Sequence, residues 1–139
     1  MTLVVDASVA LKWLHSEIGS TEADALLTRG ELVIAPDLVV PEVCNVTWKM
    51  IRRGMMTPDQ QASAMTRLPA IFDEIVPTET LARRAAAIST HLDHPAYDCF
   101  YLALAEQRGA TLVTADRRLV ARVKDTPWAA CIRDFRDGE

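Results

Sequence analysis

Thr2-Leu3-Val4-Val5-Asp6-Ala7-Ser8 is a short β-rich, apolar run that ends on a carboxylate followed by a small hydroxyl. The same device returns late in the chain, at Thr111-Leu112-Val113-Thr114-Ala115-Asp116. In an open α/β sheet, residues at strand carboxyl ends and at adjoining helix starts converge on one crevice. Two more acids, Glu42 and Asp98, each open a long amphipathic stretch and so belong to helix starts of that kind. Carboxylates crowded into one crevice raise each other's pKa, and a hard divalent cation relieves the strain. Mg²⁺ or Mn²⁺ among oxygen ligands points in turn to phosphate chemistry.

Between the two motifs, strand and helix signals alternate. Ala7 to Leu14 reads as a short helix, and Ser20 or Thr21 caps a second, with Glu22 and Asp24 favourable in its first turn and Gly30 stopping it. Leu32 to Ala35 makes a buried strand, and Glu42 to Arg53 a helix after Pro36 and Pro41, ended by Gly54. Thr57-Pro58-Asp59-Gln60 combines an N-cap, a proline at the first helical position and a capping-box glutamine. That helix is expected to stop near Leu68, before Pro69 and a strand from Glu74 to Val76. Thr78 starts a helix with Leu81, Ala85, Ile88 and Leu92 on one face, and His94-Pro95 leads into another from Ala96 to Gln107, closed by Gly109. A strand over 111–114, a helix after Asp116 and a last strand from Ala129 to Ile132 complete the pattern, with a polar tail, Arg133 to Glu139, expected to fray. Alternation of this kind predicts a three-layer α/β/α sandwich around a central, mainly parallel sheet of about five strands. Residues 1–139 read as a single domain without linker or repeat.

Composition narrows the class. The chain has 139 residues, 50% hydrophobic and 24% charged, which suits a globular protein with a core of its own. Cys44, Cys99 and Cys131 are odd in number and lack CxxC spacing, so reduced core thiols are expected rather than a disulfide or zinc framework. No basic leader precedes the first strand, and no apolar run reaches the ~20 residues of a membrane span. The expectation is a cytoplasmic protein with no membrane partner. A net charge of −4 argues against broad, nonspecific nucleic-acid binding, yet Lys12, Lys49, Arg52, Arg53, Arg117, Arg118 and Arg122 give local positive charge near the expected crevice.

Each acid taken singly has a structural alternative. Asp6 and Asp116 stand where N-caps stand, and Glu42 and Asp98 suit the first turn of a helix. Ser8 and Thr114 flank the strand-end acids and can orient a carboxylate or water, or can serve their own backbone. Asn45 lies one turn beyond Glu42 on the same face, and Tyr97 beside Asp98 suits either base stacking or packing. His91-x-x-His94 lacks a third ligand for zinc, and no nucleophile elbow or phosphate-cradling glycine loop is present. Trp13, Trp48, Met50, Met55 and Met56 make the early helices rich in adaptable side chains; some belong to the core, but the adjacent Met55 and Met56 do not easily both turn inward.

The motifs Val4-Val5-Asp6-Ala7-Ser8, Pro41-Glu42-Val43-Cys44-Asn45, Tyr97-Asp98-Cys99-Phe100-Tyr101-Leu102-Ala103-Leu104-Ala105 and Leu112-Val113-Thr114-Ala115-Asp116-Arg117-Arg118-Leu119 together resemble the PIN-domain ribonucleases. The nearest likeness is to the VapC toxins of type II toxin–antitoxin pairs, over nearly the whole chain. That resemblance implies an Mg²⁺- or Mn²⁺-dependent endoribonuclease using one or two ions. Asp6, Glu42, Asp98 and Asp116 match the family's acidic quartet, with Asp6 and Asp98 as expected direct ligands. Ser8, Asn45 and Thr114 are implied as supporting polar residues, with Lys49, Arg117 and Arg118 as candidate phosphate contacts. Single-stranded or loop RNA is the implied substrate, cut to 5′-phosphate and 3′-hydroxyl ends. A cognate antitoxin that binds the Met/Trp surface and a second copy of the chain are the implied partners. Two alternatives from the residues are a non-catalytic interaction module and a DNA-directed nuclease of the same fold.

Overall fold

The computed structural model describes residues 1–16, 19–27 and 29–137. Five strands form one sheet: β1 Thr2–Val5, β2 Leu32–Pro36, β3 Glu74–Val76, β4 Thr111–Thr114 and β5 Ile132–Asp134. Their order is β3-β2-β1-β4-β5, and every pairing is parallel. The helices are α1 Ala7–Leu14, α2 Ser20–Leu27, α3 Val39–Arg52, α4 Pro58–Ile71, α5 Ala82–Leu92, α6 Ala96–Arg108 and α7 Arg117–Val123. No helix among the described residues is long and apolar enough to cross a membrane.

Side chains of a strand alternate between faces, and the core divides accordingly. Leu3 and Val5 of β1 pack with Val33, Ala35 and Val113 against α1, α2, α3 and α4. Val4 packs from the other face with Ile34, Leu112 and Ile132 against α5, α6 and α7. The sandwich therefore has three layers, as the alternating pattern predicts. The chain builds outward from β1 to β3, then returns to the other side of β1 for β4 and β5. Right-handed crossovers force the helices onto the opposite face at that reversal. The reversal leaves a crevice between the carboxyl ends of β1 and β4, whose register pairs Val5 with Val113.

Several boundaries differ from the sequence reading, each for a local reason. α3 starts at Val39 rather than Glu42, because Pro41 falls in the first turn, where a missing N–H is tolerated. α4 passes through Pro69 to Ile71, since a proline in the last turn removes little of the hydrogen-bond ladder. The last strand is shifted to Ile132–Asp134, with a 3₁₀ turn at Ala129–Cys131 in place of its expected start. The tail is ordered at least to Asp137 instead of fraying: Phe135 is buried, and its N–H bonds the Thr114 carbonyl at 2.9 Å.

The capping box at Thr57 forms as expected, with Gln60 N–H to Thr57 Oγ1 at 3.1 Å and Thr57 N–H to Gln60 Oε1 at 2.9 Å. Thr57→Ala removes one of these bonds and is expected to cost about 1 kcal/mol in chemical denaturation. No change would mean that α4 is fixed by packing alone.

Candidate active site

Asp6 sits where β1 gives way to α1 and is the N-cap of that helix, accepting the Val9 N–H at 3.3 Å. The same Oδ1 accepts from the Ser8 hydroxyl at 2.5 Å, while Oδ2 accepts from Thr114 across the crevice. Both hydroxyls are also acceptors: Ser8 Oγ receives the Ala115 N–H and Thr114 Oγ1 the Asp116 N–H, each at 3.0 Å. Each hydroxyl thus accepts one N–H and donates its proton to Asp6. The ends of β1 and β4 are thereby laced together around one carboxylate. Burial pushes the Asp6 carboxyl up to about 6, against the hydrogen bonds that favour its charge, and Asp98 pushes in the same direction.

Glu42 projects from the first turns of α3 and accepts from the buried Tyr101 hydroxyl at 2.5 Å. Its pKa is raised by burial first, then by the charges of Asp6 and Asp98. Asp98, in the first turn of α6, meets His94 Nε2 at 2.7 Å through its Oδ2. Tyr101 sits one turn along α6, and burial plus the charges of Glu42, Asp6 and Asp98 hold it firmly protonated. It is a permanent donor to Glu42. Asp6, Glu42 and Asp98, drawn from three distant parts of the chain, thus share one electrostatic environment.

Asp116 joins the network through its backbone N–H, which bonds Thr114 Oγ1, but its side chain is exposed and its Oδ1 caps α7, accepting from Arg118 and Leu119 N–H at 3.0 and 3.2 Å. Its structural alternative is realised, and its charge is not among those that raise Asp6 or Glu42. Asn45 and Tyr97 share a groove with Glu42, Leu38 and Pro41. Lys49 lies with Arg52 and Arg53 along α3, and Arg117 and Arg118 are exposed at the start of α7.

The basic set is less uniform than its sequence suggests. Arg122 donates to the Leu92 carbonyl and, at 3.4 Å, to that of Asp93, tying α7 to the end of α5. Lys12 lies over the Phe135 ring, Arg52 over Trp48, and Arg117 approaches Asp134 at 3.8 Å. The histidine pair is likewise split, since His91 packs edge-on against Trp128 while His94 faces Asp98. Cys44, Cys99 and Cys131 are free.

The sequence reading did not pair Tyr101 with Glu42, and it weighed His94 near Asp98 only as part of a zinc alternative; the structure brings both pairs into contact. Helical spacing was the available signal, i,i+3 from Asp98 to Tyr101 and i,i+4 from His94 to Asp98. Tyr101→Phe, which keeps the ring and removes the donor, is expected to lower any activity of this site about tenfold, read as kcat with the melting temperature checked alongside. Unchanged kcat would reduce Tyr101 to a packing residue.

Among the described residues, no three His, Cys, Asp or Glu side chains are already arranged to hold an ion together. The chemistry of the donors nevertheless suits a hard cation: all are carboxylate oxygens, and Asp6 and Glu42 bind protons abnormally well, first because they are buried and then because neighbouring acids add to the effect. Mg²⁺ in particular keeps several of its waters and needs only one or two direct carboxylates. The residues fit a partly hydrated ion.

Comparison with known proteins gives a consistent result. The PIN domain profile matches residues 3–125. Ribonuclease VapC3 of Pyrobaculum aerophilum is 32% identical over 124 residues, covering 88% of this chain and 95% of that protein. Among solved structures, VapBC2 from Rickettsia felis bound to a DNA fragment from their promoter aligns with a TM-score of 0.70 at 14% identity, over 96% of this chain and 98% of that one. VapC20 of Mycobacterium tuberculosis, a sarcin–ricin loop cleaving toxin, aligns with a TM-score of 0.62 at 16% identity, over 92% and 93%. At those identities the structural likeness speaks for the fold.

Proposed function

The chain belongs to the PIN-domain family as a homologue of the VapC ribonucleases, and from that premise we propose that it is a divalent-metal-dependent endoribonuclease, the toxin of a toxin–antitoxin pair. The observation that carries the reading is the convergence of Asp6, Glu42 and Asp98 at the carboxyl end of the sheet, where burial raises the proton affinity of Asp6 and Glu42 and the charge of Asp98 adds to both. Asp6 and Asp98 are the residues we assign to direct contact with Mg²⁺ or Mn²⁺, one or two ions, with Glu42 and Asp116 completing the site directly or through water. When bound, the ion supplies positive charge for the phosphate and makes water a better nucleophile. Ser8 and Thr114 fix the orientation of Asp6, Tyr101 that of Glu42, and His94 that of Asp98. Lys49, Arg117 and Arg118 meet the phosphates on either side of the scissile bond. Because water and not the ribose 2′-hydroxyl attacks, the products carry 5′-phosphate and 3′-hydroxyl ends.

The substrate is single-stranded or loop RNA, whose backbone can bend into a crevice. Trp48 and Met55 stay about half exposed while Met50 and Met56 turn into the core, leaving a mixed apolar surface on and after α3. We assign that surface to a helix of a cognate antitoxin, with the toxin itself a homodimer in the cytoplasm. The test is incubation of end-labelled RNA, and of DNA of the same sequence, with Mg²⁺ or with EDTA, followed by end-group analysis. RNA cleavage that needs the ion and leaves 5′-phosphates supports the proposal. Cleavage that persists in EDTA, or products ending in cyclic phosphate, would end it.

A further inference from the structure

Glu42 also lines an open groove of about 310 Å³, whose other walls are Leu38, Pro41, Asn45 and Tyr97. Tyr97 is 65% exposed, more than Trp48 at 48%, although it immediately precedes Asp98 in the buried motif of α6. Such a groove joins an exposed aromatic face, an amide with both donor and acceptor, and an apolar floor from Leu38 and Pro41. None of the five lining residues is cationic, so beyond Glu42 the groove offers no positive charge to a phosphate. Flat, neutral, polar-edged groups fit it instead. Its volume is at the low end for small-ligand sites, about 300–1,000 Å³, which suits a base with its sugar but no duplex.

We propose that this groove is a base-binding subsite, in which an unpaired nucleobase next to the scissile phosphate stacks on Tyr97 and presents its edge to Asn45. The inference rests on the nuclease reading for the position of the strand, because Glu42 belongs both to the acid cluster and to the groove wall. It divides the labour along the RNA. Lys49, Arg52 and Arg53, which line a separate shallow groove on α3, take backbone phosphate, while the uncharged side beyond Glu42 takes a base. An amide can pair with a base edge in a directed way, so the groove carries sequence preference that stacking alone does not.

The experiment uses single-stranded RNA oligonucleotides, intact or with one abasic position moved along the strand. Binding by fluorescence anisotropy in Ca²⁺ and cleavage in Mg²⁺ are measured for wild type, Tyr97→Phe, Tyr97→Ala and Asn45→Ala. Stacking of one base predicts about a tenfold weaker Kd and higher KM for Tyr97→Ala, near-wild-type values for Tyr97→Phe, and little change in kcat. One abasic position should weaken wild-type binding by a similar factor and have no further effect on Tyr97→Ala. Asn45→Ala should flatten the preference among the four bases at that position.

If RNA is bound with this abasic pattern but never cut, the subsite stands and the hydrolytic reading falls. If RNA is cut normally by Tyr97→Ala, or if intact and abasic RNAs suffer equally from the substitution, the subsite falls and the nuclease reading stands. Absence of both binding and cleavage overturns the two together.

Discussion

Asp6→Asn is expected to fold normally and to lose RNA cleavage by a factor on the order of 10³ or more. The amide is nearly isosteric and can still accept the Val9 N–H, but one of its two former acceptor positions becomes a donor. Ser8 and Thr114 both aim hydroxyl protons at this side chain, and each also accepts one backbone N–H. The NH₂ group meets one of these hydroxyls, which must turn its proton elsewhere and accept with its second lone pair, so the lacing of β1 to β4 is altered at one bond. The greater loss is charge: the variant removes the most enclosed anion of the cluster. Single-turnover cleavage with saturating Mg²⁺, beside a circular-dichroism melt, checks both statements. A folded variant retaining a tenth of wild-type activity would remove Asp6 from the reaction.

The same substitution should stabilise the metal-free protein above neutrality. The Asp6 carboxyl lies at about 6 when folded against 3.8 as a free side chain, so the folded state holds its proton more tightly than the unfolded state. Such a group adds its full stability below the unfolded pKa and loses it as pH rises through the folded one. A shift of this size is about 3 kcal/mol in full and about 2 kcal/mol from pH 4 upward, where the unfolded side chain is already partly ionised. The unfolding free energy of wild type minus that of Asp6→Asn should therefore fall by about that amount between pH 4 and pH 8 in EDTA, with Glu42 shifted in the same direction. Adding Mn²⁺ at pH 8 should recover the difference for wild type only. A difference that grows with pH, or a variant stabilised equally by Mn²⁺, would show that this carboxylate is not held against its charge.

The strands and helices that place the acids were legible because two signals agreed, uninterrupted apolar runs and capping residues. Leu3 to Val5 and Leu112 to Val113 have no polar residue to suggest a one-sided strand, and both end up covered on two faces. Asp6, Glu42 and Asp98 were legible as a set for the same reason, since strand order decides where their ends meet. Less legible was the state of Asp116, because a strand-end acid before a helix serves as an N-cap or a ligand with the same local sequence. The end of the chain was misread because Phe135 is a single apolar residue among charges, and its partner, the Thr114 carbonyl, is distant in sequence. Arg122 was grouped with the phosphate-facing cations for want of any local sign that carbonyls at the end of α5 would claim it. Long-range polar contacts of single residues leave no periodicity to read.

The hydrogen bond from Thr114 to Asp6 joins residues at opposite ends of synthesis, and every route to the crevice passes through that late partner. A nascent chain emerging from the ribosome carries the first acid almost at once yet cannot assemble an operative centre until β4 has been translated and slotted beside β1. A chain ended before Thr111 lacks both β4 and the Thr114 hydroxyl and is expected to be inactive in an RNA-cleavage assay.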